Sequence, residues 1–141
     1  ASQWRNKMRQ GTKFRTVSHM AVDGAGRPLR LCLSPDQRGD APLAPALLAG
    51  LTPRRVLADK AYDSNAIRAL VAEMGAEAVI PCNPTRKQPI PYDFEAYKAR
   101  NTVERCFNKL KDFRRVATRY DRRAAHFASF VFLACAMLWM R

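Results

Sequence analysis

Residues 56–80 read VLADKAYDSNAIRALVAEMGAEAVI, and the change of period inside this stretch decides the fold class. Val56-Leu57-Ala58 is a short apolar run of the kind that fills a buried strand. Ser64 or Asp63 can cap the segment that follows. In it Ile67, Leu70, Val71 and Met74 recur at i, i+3, i+4 and i+7 before Gly75 ends the helix. Ala78-Val79-Ile80 then returns to an apolar run. A strand, a helix and a strand joined by short connections predict a crossover with parallel strands, so the class is mixed α/β. The first of these strands delivers Asp59 at its C-terminal end, the edge where ligands of parallel sheets gather.

Upstream, Phe14, Thr16, Val17, Met20 and Val22 make Lys13–Val22 β-prone, and Asp23-Gly24-Ala25-Gly26 signals a reversal. Leu29, Leu31 and Leu33 then alternate with Arg30 and Cys32 as one buried face, which predicts a β-hairpin. Residues 1–12 read as a polar lead-in, with no strand ahead of Lys13. Asp40–Leu48 is a short helix candidate closing near Gly50. Downstream, Pro81–Pro91 is a proline-rich loop containing Arg86 and Lys87. Asp93 can cap a long helix running to about Ala117, and Asp121 can cap a final one. The predicted order is strand, strand, helix, strand, helix, strand, helix, helix, in one domain over residues 1–141 whose core is 13–141.

The 141 residues carry 25 Lys plus Arg against 12 Asp plus Glu, a formal charge of +13. That balance favours a polyanionic partner, nucleic acid first. With 48% hydrophobic residues the chain can still bury a core. Cys32, Cys82, Cys106 and Cys135 form no CxxC pair, which excludes a zinc ribbon and a disulfide framework and reads as reduced thiols in a cytosolic protein. Ala1–Gln10 is polar and basic, without the apolar region of a secretory signal. Ala124–Met140 is almost uniformly apolar, interrupted by His126 and Ser129. At about 17 residues it stands at the short limit of a membrane span and reads as a buried terminal helix, with a small membrane-anchored basic protein as the weaker alternative. His19 and His126 each stand alone and read as structural.

The predicted long helix carries the most informative constellation. At about 100° per residue, with Tyr97 as zero, Arg100 falls near about −60°, Glu104 near about −20° and Lys111 near about −40°, one narrow stripe. It borders the apolar face made by Val103, Cys106, Phe107, Leu110 and Phe113. A carboxylate on such a border can be held by core packing and still reach a cleft. Arg100, one turn earlier, can orient it, and Lys111 can hold a phosphate oxygen. By itself the stripe is equally an ordinary surface with one Arg–Glu pair, and Asp59 by itself is equally a helix-preceding cap.

Tyr97, two residues, Arg100, three residues, Glu104, six residues, Lys111 is a specific spacing. Together with Leu57–Ser64, with Arg114–Asp121 and with the apolar last helix, it resembles the DDE transposases of bacterial insertion sequences, the insertion-sequence-five-type branch, from about Gly11 onward. The resemblance implies a ribonuclease-H-like mixed sheet with flanking helices and metal-dependent DNA strand cleavage and transfer. It makes Asp59 the second Asp and Glu104 the Glu of a two-metal site for Mg2+ or Mn2+. Tyr97, Arg100 and Lys111 become supporting residues that place the Glu and contact DNA phosphate. The implied partners are double-stranded DNA, as terminal repeats and target, and a second copy in a homodimer. The implied location is the bacterial cytoplasm, at the nucleoid. The family's first Asp belongs to a strand preceding the hairpin. Asp23 lies in the hairpin turn, Asp36 and Asp40 follow the second strand, and none stands in that place. The sheet is therefore expected to lack its first strand and this chain to be inactive alone. The competing reading is a non-catalytic basic module that grips DNA or associates with intact transposase.

Overall fold

The computed structural model describes residues 2–6, 16–35, 41–117 and 123–140. Its hairpin forms around Asp23, whose Oδ1 accepts the backbone N–H groups of Ala25 and Arg27, both at 2.9 Å. Gly26 takes φ +84°, a backbone state that suits glycine. Strand β2 (Thr16–Val22) therefore runs antiparallel to β3 (Pro28–Pro35), with Met20 opposite Leu31. The expected apolar face of β3 is only partly buried: Leu31 is inside and Leu33 half-buried, but Leu29 is 38% exposed. It lies at the turn end of the hairpin, where the register shifts between Ala21 and Val22.

The sheet contains a strand that the amino-acid pattern did not announce. Ser2–Asn6 forms β1, antiparallel to β2 over Ser18–Val22 and parallel to β4 (Arg55–Leu57) through Ser2 and Leu57. The expectation that no strand precedes the hairpin is thus corrected. The physical reason is that the edges of β2 and β4 offer backbone donors and acceptors to any neighbouring chain. Backbone pairing is indifferent to side-chain polarity, so the polar stretch SQWRN can fill the gap without an apolar alternation. With β5 (Glu77–Val79) parallel to β4, the order is β3-β2-β1-β4-β5.

Helices cover both faces. On one side α1 (Ala44–Leu48) and α2 (Asn65–Glu73) enclose Val56, Ala58, Tyr62, Ile67, Val71 and Ile80. Ser64 Oγ caps α2 by accepting the Ile67 N–H at 3.2 Å, and Gly75 ends it at φ +71°. On the other side α4 (Asn101–Lys111), α5 (Arg114–Ala117) and α6 (Ala124–Trp139) bury Val103, Phe107, Leu110, Val116, Phe127 and Val131 against Met20, Val22 and Leu31. Adjacent residues of β2 show the division: Met20 joins the second core while His19 turns to Tyr62 in the first.

The long helix expected over 93–117 is three segments. Asp93 caps α3 (Phe94–Lys98), accepting the Ala96 N–H at 3.0 Å. Ala99 and Arg100 form a tight turn in which Arg100 N–H bonds Tyr97 O and Val103 N–H bonds Arg100 O, three residues apart. Similar short bonds close α4, from Asp112 to Lys109 and Phe113 to Leu110. Bending at these points lets Val103, Phe107, Leu110 and Val116 all enter one core. The capping expected of Asp121 lies outside the described residues, as do Asp36 and Asp40. The described part of α6 starts after Arg123 without a side-chain cap. Among the described residues no helix is long and apolar enough to cross a membrane. All four cysteines are free.

Candidate functional site

Asp59 leaves β4 at its C-terminal end in extended conformation, φ −78° and ψ 164°. Its Oδ1 accepts the Ala61 N–H at 2.7 Å, capping the single 3-10 turn Lys60–Tyr62. This leaves Oδ2 without a hydrogen-bond partner among the described residues. The turn is seated by Tyr62, which is wholly buried, its hydroxyl 3.3 Å from His19 Nδ1. His19 Nε2 in turn lies 2.8 Å from Ser34 Oγ. His19 is thus structural, as expected, but it is tied to the segment that carries Asp59. His126 is exposed on α6.

Glu104 stands in the first turn of α4, between buried Val103 and Cys106–Phe107. Arg100 Nη2 donates to its Oε1 at 2.9 Å, so the Arg–Glu pair of the stripe is formed. The Glu104 side chain is 41% exposed and its Oε2 has no hydrogen-bond partner among the described residues. Arg100 also lies over the Tyr97 ring at 5.5 Å, and its Nη1 is buried with no hydrogen-bond partner among the described residues. A buried guanidinium N–H without an acceptor is costly. Lys111 is exposed at the end of α4.

Tyr97 links the two acids. Its ring packs edge-on against Tyr92, centroids 5.6 Å apart. Burial raises the pKa of its hydroxyl first, Arg100 opposes this, and the charges of Asp59, Tyr92 and Glu104 push it further up. One phenol therefore feels both carboxylates, one from a strand end and one from a helix many residues later. The structure brings Asp59, Tyr97, Arg100 and Glu104 into one neighbourhood, and Lys111 stands two turns beyond Glu104.

A divalent cation of the hard class prefers oxygen ligands. Asp59 Oδ2 and Glu104 Oε2 suit that preference as far as they go. Among the described residues, however, no group of three His, Cys, Asp or Glu side chains could hold a metal ion. Strand β1, the neighbour of β4, contributes no acid: it is Ser-Gln-Trp-Arg-Asn.

Asp63 was expected to act as a cap, a role that Ser64 takes. Its side chain is fully buried and is held by Arg68 Nε at 2.8 Å, Arg86 Nη2 at 2.9 Å and the Asn83 N–H at 2.7 Å. Burial would raise its pKa, but the hydrogen bonds from Arg86, Asn83 and Arg68 outweigh that and bring it down to about 2. Local spacing could not show this, because Arg86 lies in the proline-rich loop beyond β5.

Comparisons with known proteins follow the same line. The transposase DDE domain family matches residues 1–139. The chain is 44% identical over 128 residues to a protein named as a transposase for an insertion sequence element in Brucella ovis, covering 89% of this chain and 98% of that one. It is 31% identical over 145 residues to a similarly named protein of Burkholderia cepacia, covering 94% of this chain and 64% of that one. Among solved structures it resembles the catalytic core domain of BIV integrase, with TM-score 0.57 and 17% identity over 96% of this chain and 79% of that one. A chain of the simian T-cell lymphotropic virus intasome aligns with TM-score 0.54 and 14% identity, over 95% of this chain and 45% of that one. At such identities the likeness shows the ribonuclease-H-like fold.

Proposed function

This chain belongs to the transposase DDE domain family, and from that premise we propose that it serves DNA transposition, with Asp59 and Glu104 as two carboxylate ligands of a divalent-metal site for DNA strand cleavage and transfer. The observation that carries the reading is the pair of carboxylates, Asp59 at the C-terminal end of β4 and Glu104 held by Arg100 on α4, each with one oxygen unpartnered among the described residues. When bound, Mg2+ or Mn2+ supplies charge neutralisation at the reacting phosphate and acidifies the attacking water or hydroxyl.

The chain's own residues have distinct tasks. Asp59 offers Oδ2 while its Oδ1 stays on Ala61 N–H. Arg100 holds Glu104 by one arm through the 2.9 Å bond from Nη2, and its positive charge favours a DNA phosphate nearby. Tyr97 packs beside Arg100, and its hydroxyl, protonated at neutral pH like any tyrosine's, can donate a hydrogen bond. Lys111 adds a second positive charge for the DNA backbone further along α4. The chain's charge of +13 supports a duplex DNA partner whose binding weakens with salt.

With two such acids and none on β1, the 141 residues by themselves are expected not to cut or join DNA. Mg2+-dependent strand transfer by the purified chain would overturn that. The reading as a metal site is tested by Mn2+ titration: Asp59→Ala and Glu104→Ala should each abolish binding and leave DNA affinity equal or higher. Unchanged Mn2+ binding in both variants would leave the basic, non-catalytic DNA-binding module as the better account.

A further inference from the structure

Among the described residues the Asp59 carboxylate has one anchor, the Ala61 N–H, so the direction of its other oxygen depends on how the following turn is held. That turn is short and rigid. Tyr62 N–H bonds Asp59 O at 2.9 Å, Asp63 N–H bonds Lys60 O at 3.1 Å and Ser64 N–H bonds Tyr62 O at 2.9 Å. Asp63 closes it, and both of its oxygens are saturated. Oδ1 accepts from Arg68 Nε and Arg86 Nη2, and Oδ2 from the Asn83 N–H and, at 3.1 Å, Arg86 Nε. No lone pair is left for a metal ion, so Asp63 is not a ligand.

The two arginines are themselves fixed. Arg68 Nη2 donates to Ile80 O at 2.9 Å, at the end of β5, and Arg86 Nη1 to Asn65 Oδ1 at 2.8 Å, at the start of α2. Within the loop that follows β5, Cys82 Sγ accepts the Ile90 N–H at 2.9 Å. One buried carboxylate thus joins the turn after β4, the start of α2 and the loop after β5, all at the C-terminal edge of the parallel strands.

We propose that Asp63, clamped by Arg86 and Arg68, is a positioning residue that holds the Asp59 carboxylate in place through the single turn Lys60–Tyr62. The inference rests on the reading of Asp59 as a metal ligand. A carboxylate near another carboxylate is pushed away while no cation lies between them, and the clamp opposes that displacement. Partners outside the ligand set act on affinity in this way, typically by about 10- to 100-fold.

The test is Mn2+ titration of the full chain, followed by the paramagnetic resonance of free Mn2+, on wild type, Asp59→Ala, Asp63→Asn, Arg86→Gln and Arg86→Lys. Affinity is expressed per folded molecule from circular dichroism, a quantity that lost stability alone does not move. Asp59→Ala is expected to abolish binding. Asp63→Asn should weaken it about tenfold or more, and Arg86→Gln by a smaller factor. Arg86→Lys should not restore it, because an ammonium cannot make the two-pronged contact. Should Asp63→Asn fail to fold, Arg86→Gln carries the test, since it leaves Asp63 on Arg68 and Asn83. Unchanged Mn2+ affinity in the folded clamp variants, with Asp59→Ala dead, overturns this inference alone. Unchanged affinity in Asp59→Ala overturns it together with the metal reading.

Discussion

Replacing Asp63 by Asn removes a charge but little volume, and its effect on stability can be worked from the clamp. The folded pKa of about 2 lies below the ordinary 3.8 because the Arg86, Asn83 and Arg68 hydrogen bonds outweigh burial. A difference of roughly 1.8 units at about 1.36 kcal/mol per unit is about 2 kcal/mol favouring the ionised, folded state. Because the folded pKa is the lower one, that stability is fully present above about pH 4. It is lost as the pH falls through about 2. Asparagine resembles the protonated acid, so the variant should be about 2 kcal/mol less stable than wild type at pH 7, a drop in melting temperature of roughly 4–8 °C. The gap should narrow from about pH 4 downward and close near or below pH 2. Urea unfolding followed by circular dichroism at pH 7, 4, 3 and 2 measures it. A gap that stays constant across this range would mean that the loss is one of shape and that the charge argument is wrong. No gap at pH 7 would mean that the clamp carries no net stabilisation.

Phe107 is 2% exposed in the core that seats α4, so Phe107→Ala should cost about 3–5 kcal/mol; an urea midpoint within error of wild type would contradict the packing described. Burial lifts the Cys106 thiol to about 11 despite Lys109, and burial, aided by Cys106, lifts Cys135 to about 12. At pH 8 both should resist a thiol reagent until denaturant is added, and rapid labelling of either in the native chain, read by mass spectrometry, would show that this core opens.

Much of the fold could be read locally because local chemistry decides it. The period of Ile67, Leu70, Val71 and Met74, the Ser64 cap and the Gly75 stop are properties of neighbours in the chain. So are the Asp23–Gly26 turn and the apolar runs that became β4 and β5. The spacing from Tyr97 to Lys111 likewise names a candidate site before any coordinates, since three- and four-residue steps on a helix share a face. The split of that helix at Ala99–Arg100 did not show in the apolar period, although Asn101, Thr102 and Val103 just after it are weak helix formers.

What the sequence determined by itself is the α/β class, the helix and turn boundaries around residues 56–80, and the identity of the acids and bases on offer. Only the tertiary structure decided that a polar stretch becomes a strand between β2 and β4, that Tyr97 feels both Asp59 and Glu104, and that Asp63 is a buried clamp rather than a cap. Each of these depends on groups far apart in the chain, whose meeting is set by backbone pairing and core packing and leaves no local pattern to read.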